Sequence, residues 1–218
     1  MYKIEDIINK VHCADCLEFM KNMPDKCVDL VVTDPLYGID VGKSETVGGG
    51  KLAEVTKYGK HDWDKNIPSK EVFNELFRVS RNQIIFGGNY MVEHLYNSSC
   101  WIVWDKDNTG NFADCELAWT SFRSAVRKIK YRWNGMLQGN MHEKEKRVHP
   151  TQKPQPVMQW ILEKYAKRTD IIFDPFMGSG TTLCACRELH MDYIGVEINQ
   201  EYCAIAEKRL FNTQGSLF

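Results

Sequence analysis

The sequence lacks several features that would place the protein in particular classes. No apolar run approaches the roughly 18 residues of a membrane-spanning helix, and residues 1–6 lack the basic, apolar and small-residue order of a signal peptide. No proline is followed by cysteine, the dipeptide expected of enzymes that attack carbon 5 of cytosine with a thiolate. We therefore expect a cytoplasmic protein without a membrane segment.

The eight cysteines do not have the spacing of a metal site. Cys13 and Cys16 form one C-x-x-C pair, but no second pair completes a zinc set. Cys184 and Cys186 fall in a predicted helix, where residues two apart do not face the same ligand. We expect reduced and mostly buried thiols, and no bound metal.

The length and composition fit one α/β domain spanning residues 1–218. Hydrophobic residues make up 43% of the chain and charged residues 26%. Predicted strands and helices alternate, and two further strands, 101–104 and 117–122, are too close in sequence for a helical crossover. The pattern predicts a mostly parallel sheet with an antiparallel edge hairpin and helices on both faces.

One buried apolar strand, residues 28–33, ends at Asp34, Pro35 and Tyr37. In open α/β sheets, ligands bind at the carboxyl ends of the strands. We interpret these three residues as a site that holds an exocyclic amine for methyl transfer, the alternative being an ordinary turn. The glycine-rich stretch that follows, about 38–66, is predicted to be a mobile flap over the site, with plain disorder as the alternative.

A short basic segment, about 107–148, is a candidate target-recognition region. Between Arg123 and Arg147 it has eight basic residues against two acidic ones, in a chain whose net charge is -1. Interleaved aromatic residues favour a nucleic-acid surface, although a solvated charged face is the alternative. The candidate DNA contacts are Arg123, Arg127, Lys128, Lys130, Arg132 and Trp133.

A second buried strand, residues 171–173, begins a candidate nucleoside site. A Gly-x-Gly turn and a helix follow this strand, and Glu197 ends the next strand, where an acid can accept from ribose hydroxyls. Leu183 replaces the third glycine of a dinucleotide fingerprint, and this turn lacks the Gly-Lys-Ser/Thr of a phosphate loop. The pattern favours a ligand without phosphates, such as S-adenosylmethionine. The candidate cofactor residues here are Asp174, Pro175, Phe176, Gly178, Ser179, Gly180, Thr181 and Glu197.

Three motifs in this order resemble the beta-class DNA amino-methyltransferases, the adenine-N6 and cytosine-N4 enzymes whose catalytic motif precedes the cofactor motif. They are Asp34-Pro35-Leu36-Tyr37, His149-Pro150-Thr151-Gln152-Lys153-Pro154, and Asp174 to Thr182 with Glu197. The resemblance covers nearly the whole chain from Cys13 onwards. It implies a Rossmann-like S-adenosylmethionine-dependent methyltransferase fold with a circularly permuted motif order.

The resemblance also implies residue roles. Asp34, Pro35 and Tyr37 match the catalytic motif, and Asp34 is also counted among the cofactor-binding residues. The resemblance implies that Asp15 and Cys16 contact the cofactor near its adenine. It also implies that Thr151 and Lys153 contact the cofactor near its methionine end. An acid at the first catalytic position resembles the adenine-N6 members more often than the cytosine-N4 members. One departure is Leu36, where the family usually has a second proline.

We therefore predict a site-specific DNA methyltransferase of the restriction-modification kind, acting on N6 of adenine in double-stranded DNA. Methylation of cytosine N4 is the first alternative. Methylation of RNA or of a protein glutamine, and a DNA-binding homologue impaired by Leu36, are further alternatives. The sequence leaves open whether the protein forms a homodimer.

Overall fold

The structure is a computed structural model that describes residues 1–38, 46–47, 56–57, 67–108, 113–134, 137–142, 144–145, 147–148 and 152–214. The α-helices are α1 (Ile4–Ile7), α2 (Cys16–Lys21), α3 (Lys70–Val79), α4 (Gln155–Tyr165), α5 (Thr181–Glu188) and α6 (Gln200–Gln214). The strands are β1 (Lys10–Cys13), β2 (Val28–Thr33), β3 (Thr46–Val47), β4 (Thr56–Lys57), β5 (Ser80–Phe86), β6 (Trp101–Asp105), β7 (Cys115–Thr120), β8 (Arg127–Lys130), β9 (Trp133–Asn134), β10 (Leu137–Gln138), β11 (Ile171–Asp174) and β12 (Asp192–Glu197).

Eight strands form one sheet in the order β1-β12-β11-β2-β5-β7-β6-β8. All neighbours are parallel except β7, which is antiparallel to both β5 and β6. The mostly parallel sheet and the antiparallel pairing of β6 with β7 confirm the predicted fold class. The strand β8 lies outside the hairpin and forms the edge of the sheet, and it was not predicted from the sequence. Its charged residues hide the strand pattern, because only Ile129 is apolar and packs against the core.

The sheet separates two apolar clusters, so helices cover both of its faces as predicted. One cluster contains side chains from α4, α5 and α6, and the other contains side chains from α2 and α3. Along β2, Leu30 and Val32 enter the first cluster while Val28 and Val31 enter the second. Burial on both faces explains why this strand is a nearly continuous apolar run instead of an alternating one.

The ends of β2 and β11 lie side by side, as the sequence predicted. The two strands pair in parallel, with Phe173 opposite Val31. The Thr33 hydroxyl donates a hydrogen bond of 2.8 Å to Asp174 Oδ1. Since β7 runs in the opposite direction, its first residues, including Glu116, come to this same carboxyl edge of the sheet.

After β5 the chain forms two 3-10 turns, Gly88–Tyr90 and Val92–His94, which follow Gly87 at a φ of 66°. The predicted flap, about 38–66, lies mostly outside the described residues. Within it the structure describes only Gly38 and the strands β3 and β4, which pair antiparallel.

All eight cysteines are free thiols, four of them buried, whereas Cys13 and Cys115 are exposed. Within the described ranges, no three His, Cys, Asp or Glu side chains are grouped so that they would hold a metal ion. The part of the chain that the structure describes also contains no helix with the length and apolar character needed to cross a membrane.

Candidate active site

A cavity of about 250 Å³ lies at the carboxyl edge of the sheet, beside the ends of β2, β11 and β12. Four charged side chains line it, namely Asp34, Asp174, Glu197 and Lys153. Three carboxyl groups and one ammonium give the lining an excess of acidic groups. Such a lining favours a ligand that carries positive charge and disfavours a diphosphate.

One end of the cavity is a buried hydrogen-bonded corner built on Asp34. The Tyr37 hydroxyl donates to Asp34 Oδ1 at 2.5 Å, and the Lys153 ammonium donates to Asp34 Oδ2. Burial raises the pKa of Asp34, and the charge of Lys153 opposes this effect. Burial and the neighbouring Asp34 carboxylate raise the pKa of Tyr37 well above its ordinary value, so its hydroxyl remains a donor.

Two further charges complete this corner. Lys153 Nζ lies 3.2 Å from Glu116 Oε2, and Lys106 Nζ lies 2.5 Å from Glu116 Oε1. Burial raises the pKa of Glu116, but the charges of Lys153 and Lys106 outweigh it and lower the pKa overall. The corner therefore alternates acid and base in the order Asp34, Lys153, Glu116, Lys106.

The turn after β5 packs against the aromatic ring of Tyr37. The rings of Tyr37 and Tyr90 stack with their centroids 5.1 Å apart and their planes 19° apart. A Cβ atom added at Gly87 would lie 2.1 Å from Tyr37 Cε1, and its φ of 66° is unfavourable for other residues. Only glycine at position 87 lets the Tyr37 ring occupy this place.

The other end of the cavity is built on Glu197. Its carboxylate accepts the backbone N–H of Gly178 at 3.1 Å and that of Asn199 at 2.8 Å. Gly178 has a φ of 50°, the left-handed region that glycine favours. Each carboxylate oxygen keeps a second lone pair, so Glu197 remains able to accept hydrogen bonds from a ligand.

Between these ends, Asp174 connects three segments of the chain. It accepts hydrogen bonds from the Thr33 hydroxyl and from the backbone N–H of Phe176, at 2.8 and 3.2 Å. Burial raises its pKa to about 7, although the hydroxyls of Thr182 and Thr33 oppose this effect. A carboxyl group with this pKa is half ionised near neutral pH, and a positively charged ligand would favour its ionised form.

The model of one protein family, described as DNA methylase and covering adenine-N6 and cytosine-N4 enzymes, matches residues 97–208, about half of the chain. The matched region contains Glu116, Lys153 and the cavity-lining residues between Asp174 and Tyr202. The chain belongs to the N6/N4 DNA methylases. The family predicted from the three sequence motifs is confirmed.

Among curated relatives, the chain is similar to the type II methyltransferase M.HinfI of Haemophilus influenzae, with 26% identity over 95% of this chain and 69% of that protein. It is also 26% identical to the type II methyltransferase M2.DpnII of Streptococcus pneumoniae, over 90% of this chain and 87% of that protein. These matches extend the similarity beyond the family model to nearly the full chain, including Asp34 to Tyr37.

Among solved structures, the complex of M1.HpyAVI with S-adenosylmethionine covers 92% of this chain and 99% of that one, with 25% identity and a TM-score of 0.58. The cytosine-N4-specific PvuII DNA methyltransferase matches with the same TM-score over 91% of this chain but with 13% identity, so it supports the fold alone. The Rossmann-like methyltransferase fold predicted for this methylase is confirmed.

The structure brings most of the predicted cofactor residues to one cavity. Those that line it are Asp34, Lys153, Asp174, Phe176, Gly178, Ser179, Thr181 and Glu197. Pro175 and Gly180 belong to the same turn but are not among the lining residues. A Cβ added at Gly180 would lie 2.8 Å from Ala206 Cβ, so this glycine permits close packing of α6. Thr151 lies outside the described residues.

Asp15 and Cys16 are also not among the lining residues. The Asp15 side chain caps α2 by accepting the backbone N–H of Glu18 at 3.0 Å. The half-buried Cys16 thiol has a pKa raised to about 12, chiefly by burial. The described contacts therefore give these two residues a local structural role, and the predicted contact with the cofactor adenine stays a prediction.

The basic segment is divided between the two edges of the sheet. Arg123 and Arg127 are exposed at the amino edge, opposite the cavity. Lys130 and Arg132 are at the carboxyl edge, where both contact Asp107, at 2.8 and 2.5 Å. Lys128, in the middle of β8, contacts Asp105 at 3.1 Å.

Trp133 differs from its predicted role as a DNA contact. It is 8% exposed, packs in the core, and donates from Nε1 to the Gln152 carbonyl at 3.1 Å. The guanidinium of Arg147 covers the ring at 4.8 Å. The sequence pattern of aromatic and basic residues did not distinguish a core tryptophan from a surface one, and burial removes Trp133 from the candidate DNA surface.

Glu116 and Lys106 belong to the site but were not predicted from the sequence. Glu116 is an acid within a strand whose other residues are largely apolar, which is the signal that would have drawn attention to it. Leu36, the departure from the usual family motif, lines the cavity wall, and it makes none of the described polar contacts of Asp34.

The raised pKa of Asp174 predicts a pH dependence of stability. Because the folded state holds the proton up to about pH 7 and an unfolded carboxyl only to about 3.8, this group favours folding less as the pH rises between these values. Relative to Asp174→Asn, the wild-type free energy of unfolding should fall by at most about 1.4 kcal/mol per pH unit across this window. Urea unfolding of both proteins at pH 4.5, 5.5, 6.5 and 7.5 measures it, and a constant difference would contradict the assignment.

Proposed function

We propose that this methylase transfers a methyl group from S-adenosylmethionine to the exocyclic N6 amine of adenine in duplex DNA. The observation that carries the proposal is the position of Asp34. Its carboxylate stands at the end of β2, directly beside the cofactor cavity and next to the Asp174 strand end. An amine held on Asp34 would therefore lie next to a ligand in that cavity.

The residues present fit S-adenosylmethionine. When bound, this cofactor supplies a methyl group that its positively charged sulfonium makes electrophilic. Glu197 is placed to accept from ribose hydroxyls, since both its oxygens are already oriented by backbone N–H groups. Asp174 and Asp34 supply negative charge at the other end, which suits the sulfonium and the ammonium of the amino acid portion.

The amine requires help from the protein because its lone pair is delocalised into the base. A carboxylate that accepts one amino hydrogen aims this lone pair at the methyl group, and we assign that role to Asp34. A nitrogen that gains a methyl group must lose one hydrogen as a proton, and Asp34 is assigned to take up this proton and pass it to solvent. The Pro35 carbonyl is assigned as acceptor of the second hydrogen. Tyr37 holds the carboxylate through its hydrogen bond to Oδ1, and stacking of its ring on an extruded base is part of the proposal.

The choice of adenine over cytosine rests on the acid at the first position of the catalytic motif, which the adenine-N6 members have more often. Both bases have an exocyclic amine that Asp34 could hold, so the position of Asp34 does not distinguish between them. Cytosine N4 is therefore the competing acceptor, and it is distinguished by the product formed.

Duplex DNA should approach the carboxyl edge of the sheet, where Asp34 lies. Because β8 is parallel to β6, Lys130 and Arg132 reach this edge and Arg127 does not. Their ion pairs with Asp107 are exposed. Such pairs contribute only about 0 to 1 kcal/mol, so phosphates can replace the carboxylate at little cost.

Mass spectrometry of nucleosides from methylated duplex DNA tests the reaction and its acceptor residue together. We expect wild-type protein to form N6-methyladenine, and Asp34→Asn to lower its turnover by at least about 100-fold, the usual loss when one oriented charge-stabilising group is removed. Calorimetry should show S-adenosylmethionine binding largely retained in the variant, because Asp174 and Glu197 still line the cavity.

The matched control is Asp29→Asn at the opposite end of β2, where the side chain accepts from the Ile171 backbone N–H. This variant should keep near-normal turnover. If the wild-type product is N4-methylcytosine, the methylated base is cytosine and the assignment of adenine is wrong. Normal turnover of Asp34→Asn would contradict the mechanism.

The placement of the basic residues predicts the salt dependence of DNA binding. The double variant Lys130→Gln/Arg132→Gln should reduce the slope of log affinity against log salt by about 2, because each lost phosphate contact reduces it by about 0.9. Arg123→Gln/Arg127→Gln, which removes the same charge at the opposite edge, should leave the slope near the wild-type value. Equal slopes for both variants would contradict this orientation of DNA.

A further inference from the structure

The structure shows Asp34 already engaged on both carboxylate oxygens. Oδ1 accepts from Tyr37, and Oδ2 accepts from the Lys153 ammonium. Under the proposed function, Asp34 must accept a hydrogen from the target amine. Each oxygen keeps a second lone pair, but an ammonium is a stronger donor than a neutral amine and neutralises part of the carboxylate charge, so Asp34 is a weaker acceptor for the amine while Lys153 is bound to it.

Lys153 has little freedom to leave by moving into solvent. Its side chain is only 7% exposed, and the rings of Phe86 and Tyr37 lie 5.3 and 5.6 Å from its Nζ. A buried ammonium that loses its carboxylate without gaining another is strongly destabilised. The lysine can therefore release Asp34 only toward another acceptor, and among the described side chains Glu116 is the one within reach.

Glu116 provides that acceptor. Its Oε2 atom is buried 3.2 Å from Lys153 Nζ, yet it has no hydrogen-bond partner among the described residues because the present alignment with the ammonium is poor. Its Oε1 atom is held by Lys106 at 2.5 Å, which fixes the carboxylate in place. A small rotation of the lysine would turn the 3.2 Å contact into a hydrogen bond.

We propose that Glu116 is a positioning residue that receives the Lys153 ammonium when the target base enters, so that Asp34 becomes a stronger acceptor for the amine. Before the base enters, Lys153 is paired with Asp34. With DNA, the ammonium moves to Glu116 and remains paired. The inference rests on the proposed function of Asp34 and adds a lysine that exchanges between two acids.

The exchange predicts a particular dependence on pH. The groups that face this corner are Asp34, Tyr37, Lys106, Glu116 and Lys153, with Asp174 and Tyr90 as the next neighbours. The negative charge of Glu116 raises the pKa of Asp34. Neutralising Glu116 should therefore lower the pKa of Asp34 and move to lower pH the part of the acidic limb of the rate profile that reports protonation of Asp34.

The test is Glu116→Gln in the full chain, with Glu116→Asp as the conservative variant. We expect Glu116→Gln to lower kcat/KM for duplex DNA by about 10- to 100-fold, the usual effect of losing one charge-assisted hydrogen bond. The acidic limb should shift to lower pH, and binding of S-adenosylmethionine should not change because Glu116 does not line the cavity. Glu116→Asp should recover much of the rate.

Glu163→Gln removes one charge from the exposed surface of α4 and serves as the matched control, for which the rate and the acidic limb should equal those of the wild type. A merely structural role of Glu116 would lower the melting temperature without moving the acidic limb. An unmoved limb, or an unchanged kcat/KM in a folded Glu116→Gln protein, would overturn the proposal.

A second measurement separates this inference from the proposed function. Carbon NMR of aspartate-labelled protein, with the Asp34 signal assigned by its loss in Asp34→Asn, follows the ionisation of Asp34 without any methyl transfer. A lower titration midpoint in Glu116→Gln supports the coupling even if wild-type protein yields no methylated adenine. An unchanged midpoint overturns the coupling even if methylation is normal.

Discussion

The structure depends above all on the parallel pairing of β2 with β11, which places two strand ends and their acids side by side. The hydrogen bond from Thr33 to Asp174 joins these ends directly. One strand presents Asp34, the proposed acceptor of the amine, and the other begins the turn that lines the cavity. Because both strands are buried on both faces, their backbones are held in place and the distance between the two halves of the site is fixed by the sheet.

The second constraint is electrostatic. Four charges, on Asp34, Lys153, Glu116 and Lys106, share a corner with little access to solvent, and each is paired with an opposite neighbour. Removing one member would leave a buried charge without compensation, which typically costs about 3 to 5 kcal/mol. The same arrangement places the Lys153 ammonium next to two carboxylates. Under our proposal, it can therefore move from Asp34 to Glu116 without losing its ion pair when the base binds.

Much of the site was predictable from the sequence because strand ends and glycine turns have local signatures. The apolar run before Asp34, the turn around Gly178 and the acid at Glu197 each follow from burial and spacing over a few residues. Their assembly into one cavity follows from the general rule that parallel strands end at one edge.

Residues outside such patterns were not predictable. Glu116 reaches the site only because β7 runs antiparallel to its neighbours. The direction and register of paired strands depend on both strands, so they could not be predicted from the sequence of β7 alone. The edge strand β8 was hidden by its charges. Trp133 was mistaken for a surface residue because a mixed basic and aromatic segment does not show which side chains point inward.

The most direct measurement is a crystal structure of the protein with sinefungin, an unreactive analogue of S-adenosylmethionine, and duplex DNA. The duplex should carry the unmethylated target sequence, identified beforehand by sequencing DNA that the protein has methylated. We expect the target amine within hydrogen-bond distance of Asp34, with Lys153 Nζ closer to Glu116 than to Asp34. A base held away from Asp34, or a bound base with Lys153 still on Asp34, would contradict this mechanism.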